Sequence, residues 1–216
     1  MEDYLKAIKS LVDEHPGSSD GVPMQALAER LGVSGASVTS MVKRLAACDL
    51  VVHTPYRAVF PTPRGEAVAL EVIRHHRLLE LFLVDELGLP WDTVHAEADR
   101  LEHHISELLE DAIAAKLGEP TRDPHGDPIP RRDGSVVAEA SRPLSSAAVG
   151  ATVRIARVPD SSDELLRYLA DRGVRPGAEA TIARIDELGG VIAISVAGRE
   201  WSLALAVADA IHVTGT

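Results

Sequence analysis

A chain of 216 residues with 45% hydrophobic side chains can bury a sizeable core and is too apolar to be disordered by composition. Aromatic residues make up 3% and cysteine occurs once, at Cys48, so the core must be aliphatic, an internal disulfide framework is excluded and a reducing compartment is indicated. The net charge of −11 is unevenly spread: residues 1–65 hold seven basic and seven acidic side chains, residues 66–140 seven and seventeen (a balance of −10), and residues 141–216 eight and nine. Such asymmetry points to separate tasks for separate segments. The opening MEDYLKAIKS lacks the basic-then-apolar build of a signal peptide, and no apolar run reaches the roughly 18 residues that span a bilayer. The expectation is a soluble, cytoplasmic protein with no membrane contact.

In chain order, Leu5, Ile8, Leu11 and Val12 recur at helical spacing, predicting a helix over residues 2–14 that the Pro/Gly-rich HPGSSDG ends. MQALAERL predicts a second helix, Gly32 and Val33 a turn, and Ser34 or a neighbour a cap for a third helix reaching about Ala47. LVVHTPYRAVFPT reads as a small hairpin around Thr-Pro-Tyr-Arg. A long helix follows over 64–86, with one or two more in 91–117 after a Leu-Pro break. Residues 118–135, GEPTRDPHGDPIPRRDGS, form a loop or linker. Beyond 144 the pattern changes to short strands (TVRIARV, EATIARID, GVIAISV, IHVTG) around one helix, DELLRYLADRG, the signature of a small barrel-like β domain. The expected fold is mainly α with a small β domain, divided at 1–65, 66–130, a linker at 131–146, and 147–216.

The second and third helices have the organisation of a helix-turn-helix. Ala28 allows close packing, Gly32 turns the chain, and Val38 and Leu45 seal the second helix on the first. The hairpin makes the unit winged. Such a unit lays its second helix in the major groove, with residues near its N-terminus facing base edges. Here Ser34, Ala36, Ser37, Thr39 and Ser40 take those positions, with Lys43 and Arg44 further along. Small hydroxyls and methyls read bases weakly, so phosphate contacts, from Arg57 in the wing and from Arg64, and DNA shape must contribute. A winged helix that binds protein instead of DNA is the bland alternative.

The acidity of the middle segment has a pattern. VHAEADRLEHH, residues 94–104, holds six His, Asp or Glu in eleven. On a helix, His95, Asp99, Glu102 and His103 fall at i, i+4, i+7 and i+8, while His76 and Glu80 stand four apart on the preceding long helix. If those helices pack antiparallel, three imidazoles and three carboxylates converge. Carboxylates losing water side by side are costly, and a divalent cation removes the cost. Glu97, Arg100 and His104 lie off this stripe and read as a solvated face. With no thiolate or thioether in the set, an oxygen- and nitrogen-rich site suits manganese or ferrous iron.

Together MEDYLKAI, the helix-turn-helix, HHRLLELFLVDELGLPWDTVHAEADRLEHH and DPHGDPIP resemble the diphtheria-toxin-repressor family of metal-dependent transcriptional regulators. That resemblance implies a winged helix-turn-helix, a helical metal-binding and dimerisation domain, and a C-terminal SH3-like β barrel. It further implies two metal sites. One resembles His76, Glu80 and His95, completed from the SH3-like domain by Asp160, with Asp163 in reserve; both aspartates could equally cap the helix near 163. The other resembles Asp3, Asp99, Glu102 and His103. Carboxylates at positions 3 and 99 resemble the manganese-responsive branch, although Lys6 stands where some of its members carry an acidic ligand. The resemblance thus implies a repressor of metal-uptake genes responding to Mn²⁺, with Fe²⁺ as the alternative and Co²⁺, Ni²⁺, Zn²⁺ or Cd²⁺ as substitutes in vitro. Its partners would be a homodimeric copy and a double-stranded operator with an inverted repeat. Leu108, Leu109, Ile113 and Leu117 are candidates for either the dimer interface or the core. A di-metal enzyme is disfavoured, because the Glu-x-x-His spacing of di-iron carboxylate helices fails at Glu80 and Glu102 and no nucleophilic triad or phosphate loop stands out.

Overall fold

Residues 1–14, 21–53, 58–137, 140–160 and 162–215 are described by a computed structural model. The HPGSSDG break, save its last residue, the Thr-Pro-Tyr-Arg turn and Arg57 lie outside the described residues. By its contacts the chain divides into two units, Met1–His75 with Pro130–Ser135, and His76–Ile129 with Val136–Thr216.

In the first unit, α1 (Glu2–Glu14), α2 (Met24–Leu31) and α3 (Gly35–Ala47) are followed by β1 (Val51–His53) and β2 (Val59–Pro61), an antiparallel pair. The first half of α4 (Pro63–Asp85) completes it. Gly32 ends α2 in the left-handed region at φ 62°, where a side chain would be strained. The Ser34 hydroxyl accepts the N–H of Ser37 and caps α3, as the sequence leads one to expect. Leu5, Ile8, Leu27, Val38, Val42 and Leu45 close into one aliphatic core.

The second unit begins with the rest of α4 and continues through α5 (Val94–Leu101) and α6 (Glu107–Lys116). Leu78, Leu79, Ala98, Ile113, Ala114 and Ile129 pack together, with Leu117 half-buried against them. Leu108 and Leu109 are instead exposed, so the four candidates divide between core and surface. The β portion has β3 (Arg142–Pro143), β4 (Thr152–Arg157), α7 (Asp163–Ala170), β5 (Glu179–Asp186), β6 (Val191–Val196), β7 (Arg199–Ala204), α8 (Leu205–Ala210) and β8 (His212–Gly215). Its strands form one antiparallel sheet in the order β3-β8-β4-β5-β6-β7. Irregularities in register at Ile155/Arg157 and Ile182/Arg184 bend such a sheet around its core. The sequence carries no strong periodic signal for the strand REWSLA or the helix LAVADA, since one is half polar and the other half alanine.

This sheet's core also takes in a residue from outside the β portion. Trp91, on the connection between α4 and α5, is buried among Leu144, Val153, Leu166 and Leu169, with the Arg175 guanidinium 4.6 Å from its ring centre. The loop containing Asp123 and Asp127 is joined to the same sheet, since the Val158 N–H donates to the His125 carbonyl at 2.9 Å. Gly126 makes that approach possible. It sits at φ 93°, and a Cβ there would come 2.0 Å from the Ala156 carbonyl oxygen. Gly126→Ala is therefore expected to destabilise the second unit by more than about 1 kcal/mol, read as a lower urea midpoint.

Candidate metal centre

α4 presents His76 and Glu80 one turn apart, and α5 brings His95 to the same point. The Nε2 of His76, the Oε1 of Glu80 and the Nδ1 of His95 form a triangle with all three edges 3.0 Å. The Glu80 side chain is fully buried and that of His76 nearly so. From the β portion, Asp160 Oδ2 stands 3.9 Å from His95 Nδ1. Ser162, not either aspartate, supplies the hydroxyl cap of α7; Asp163 lies in that helix's first turn.

The other edge of His76 meets the remaining stripe. Its Nδ1 lies 2.6 Å from Glu102 Oε2 and 3.3 Å from Asp99 Oδ1. Asp99 Oδ2 is also 3.6 Å from His95 Nε2, and His103 Nε2 is 3.5 Å from Glu102 Oε1. The two groups that the resemblance separates are thus joined by one imidazole, in keeping with the convergence that the helical spacing allows. α5 ends at Leu101, yet the Glu102 N–H still bonds the Ala98 carbonyl, which keeps Glu102 on the stripe. Asp3 lies in the first turn of α1, in the other unit, and its share in a site rests on the resemblance.

A second group of donors uses the far oxygen of Glu80. Glu80 Oε2 and His125 Nδ1 are 3.9 Å apart, and among the described residues neither atom has a hydrogen-bond partner although both are buried. His125 Nε2 lies 2.9 Å from the Trp91 carbonyl, an acceptor only, so Nε2 carries a hydrogen. Asp123, also buried, completes the group. Two buried polar atoms that face each other without a hydrogen-bond partner are what a cation or an ordered water corrects. DPHGDPIP carries part of the family resemblance, with no role implied for His125 or Asp123. Its only local sign was a His between two Asp in a Pro/Gly loop, a composition shared with ordinary turns.

Electrostatics fit a cation. Burial opposes a charged His76, but hydrogen bonds with Asp99, Glu102 and Glu80 outweigh it and hold the ring's pKa well above the ordinary value. Its bond to Glu80 raises His95 against a smaller effect of burial. Burial would push Glu80 up, yet the bonds with His76 and His95 pull it well below the usual carboxylate range. Burial, then the charges of Asp127 and Glu80, push Asp123 up. The ion-free centre therefore balances a buried carboxylate with protons on imidazoles.

In the first unit, Ser34, Ala36, Ser37, Thr39, Ser40, Lys43, Arg44 and Arg64 are all exposed. The Thr39 hydroxyl donates to the Gly35 carbonyl at 2.8 Å.

Residues 1–59 match the N-terminal DNA-binding domain of iron-dependent repressors, 62–131 their metal-binding and dimerisation domain, and 142–215 the FeoA domain. The iron-dependent repressor IdeR of Mycobacterium leprae is 35% identical over 98% of this chain and 95% of its own length. The chain belongs to the family of metal-dependent transcriptional repressors. The diphtheria toxin repressor of Corynebacterium diphtheriae is 34% identical, again over 98% of this chain and 95% of its own. Among solved structures, a manganese-dependent transcriptional repressor in complex with manganese superposes with a TM-score of 0.91 at 40% identity, covering 100% and 99% of the two chains. ScaR with bound Zn²⁺ gives 0.84 at 30% identity, with the same coverage. Like its relatives' domains, the fold is a helix-turn-helix head, a helical metal-binding segment and an SH3-like β portion. No helix among the described residues is long and apolar enough to cross a membrane.

Loading His76 and His95 with a divalent ion requires their protons to leave. Because both pKa values are raised without the ion, affinity should climb with pH until it passes the raised value of His76, and fall as the rings protonate below it. Titration calorimetry at neutral pH in buffers of different ionisation enthalpy is expected to report net proton release on Mn²⁺ binding. An exchange of zero protons would contradict this account of the centre.

Proposed function

We propose that the protein is a manganese-responsive repressor of metal-uptake genes, acting as a homodimer on an inverted-repeat operator in the cytoplasm, with no enzymatic activity. The observation that carries it is the triangle of His76, Glu80 and His95 with Asp160 beside it. These donors, like Asp3, Asp99, Glu102 and His103 of the second proposed site, are all nitrogen or oxygen. Cys48 and the three methionines, Met1, Met24 and Met41, fall outside residues 66–216, where the triangle lies. Hard donors favour manganese over softer alternatives, and the relative with 40% identity is named for manganese dependence. Iron remains the second reading, favoured by relatives named as iron-dependent repressors.

Coupling to DNA runs through α1 in this proposal. Asp3, from the first domain (1–65), joins Asp99, Glu102 and His103 of the second (66–130); the ion removes the repulsion among these carboxylates and ties the reading head to the dimer. Ser34, Ala36, Ser37, Thr39 and Ser40 then meet the major groove, while Lys43, Arg44, Arg57 and Arg64 answer phosphate. Exposed Leu108 and Leu109 are the apolar groups offered to a second copy. Typical coupling between such sites is about 1–3 kcal/mol, and operator DNA must tighten metal binding by the same amount. Neutralising part of the −10 segment also lowers repulsion toward phosphate.

Asp3→Ala is expected to remove Mn²⁺-dependent operator binding, measured by fluorescence anisotropy at buffered free metal, while His76, Glu80 and His95 still load. Equal operator affinity of that variant with and without Mn²⁺, and equal to the loaded parent, would overturn the mechanism. The same assay with anaerobic Fe²⁺ separates the two metals: activation by Fe²⁺ at free concentrations where Mn²⁺ is inert transfers the reading to iron.

A further inference from the structure

The His76–Glu80–His95 triangle draws its fourth candidate donor from a different part of the fold, and something must bring Asp160 to it. Asp160 follows β4 by three residues, and nothing in its own loop fixes it against α4 or α5 by length alone. Trp91 in the β core and the Val158 N–H on the His125 carbonyl hold the β portion to these helices' surroundings, and a further set of contacts, the one made by charged side chains beside the triangle, converges on Asp127.

Its carboxylate lies between two guanidiniums. One is Arg157, the last residue of β4, whose Nη1 is 3.1 Å from Asp127 Oδ1. The other is Arg77 on α4, one residue past His76 and three before Glu80, whose Nη2 is 3.5 Å from the same oxygen. Arg77 also donates to the Pro128 carbonyl and lies 3.6 Å from Asp123 Oδ2. The loop that holds Asp127 is itself rigidly shaped. Asp123 Oδ1 accepts the backbone N–H groups of His125 and Asp127, each at 2.9 Å, and the His125 carbonyl takes the Val158 N–H. On β4 the register breaks between Ile155 and Arg157, an irregularity of the kind that re-aims a side chain. The Asp127 side chain is 14% exposed, that of Arg77 24% and that of Arg157 38%, so the carboxylate and Arg77 are largely sheltered from screening solvent, while the Arg157 end of the clasp is partly open to it.

We propose that Asp127 is a positioning residue: by clasping Arg157 of β4 and Arg77 of α4 at once, it sets the β portion's Asp160 against His95 and Glu80. The clasp acts on a ligand without touching the ion. Partners that orient a ligand typically change metal affinity by about 10–100-fold, which is the effect sought. This inference rests on the reading of Asp160 as a ligand of the proposed metal centre.

The test is a double-mutant cycle in the full chain, comparing Asp127→Asn, Asp160→Ala and the two combined. Mn²⁺ affinity is read by titration for the class of sites that His95→Ala removes. Asp127→Asn and Asp160→Ala are each expected to weaken that class by about tenfold or more, with the combination no weaker than Asp160→Ala alone, because both act through the same group. Arg157→Gln cuts the clasp from the other side and should reproduce Asp127→Asn, while Arg157→Lys retains part of the affinity; this pair decides the matter if Asp127→Asn does not fold. If Asp127→Asn and Asp160→Ala multiply, Asp127 supports the fold generally and the proposal is overturned. Unchanged affinity in both Asp127→Asn and Arg157→Gln also overturns it, leaving Asp160 as a ligand. Unchanged affinity in Asp160→Ala removes the ligand reading itself, and the positioning role with it.

Discussion

The Glu80 carboxylate organises the second unit. It is wholly buried, and a buried charge is tolerated only where other charges and hydrogen bonds replace the water it has lost. One oxygen meets two imidazoles from two helices, and the other faces His125 from a loop. Each of these elements is held where it is by ordinary aliphatic packing: Leu78, Leu79 and Ala98 bring α4 and α5 together, and Trp91 roots the connection between them in the β core. Packing thus forces polar groups into one small volume, and their electrostatics then demand compensation. The raised pKa values of His76 and His95 place protons beside Glu80, and a divalent ion at the proposed site would take their place. In that proposal two kinds of positive charge compete for one buried negative one.

Much of this was legible from spacing. The i, i+4 pair of His76 and Glu80 and the stripe from His95 to His103 place donors on helix faces by geometry alone, and the convergence of two such faces requires only that the helices be neighbours. The helix-turn-helix was equally readable, because Gly32 and Ser34 are residues that a helix end and a helix start demand. What sequence could not give was the sharing of His76. Its two ring nitrogens face different carboxylates, one set from its own helix and one from the turn after α5, and a face-by-face reading assigns a side chain to a single group. His125 and Asp123 escaped for a different reason. They lie in an irregular loop, where no period relates a residue to its direction, and their burial depends on Gly126 allowing the loop to press on β4.

The β portion was legible as strands from its own residues, whereas its share in the proposed metal centre, through Asp160, came only with the family resemblance. Alternation in TVRIARV and EATIARID marks inward and outward faces, yet it says nothing of what docks at the strand ends. Trp91 illustrates the gap. In sequence it belongs to a Leu-Pro break between two helices, and an isolated Trp in such a break has no periodic partner to betray where it is buried. In the fold it is a core residue of a sheet assembled from residues at least fifty positions downstream. A module that lends its core to a residue just before α5 is not a loosely tethered appendage.

That intimacy bears on how a site of nitrogen and oxygen donors could give the manganese response proposed above. Intrinsic affinity favours zinc and copper over manganese at almost any such site, so donor type alone cannot supply the response. Zinc is satisfied by four ligands in a tetrahedron, whereas manganese favours oxygen donors in six-coordinate arrangements. Three donors of the triangle come from α4 and α5, and Asp160 comes from beyond β4. An ion content with fewer ligands can sit in the triangle and leave the β portion's carboxylate out, while an ion that requires more oxygen must recruit it. Discrimination then lies in which parts of the fold an ion holds together, and not in how tightly any one donor holds the ion.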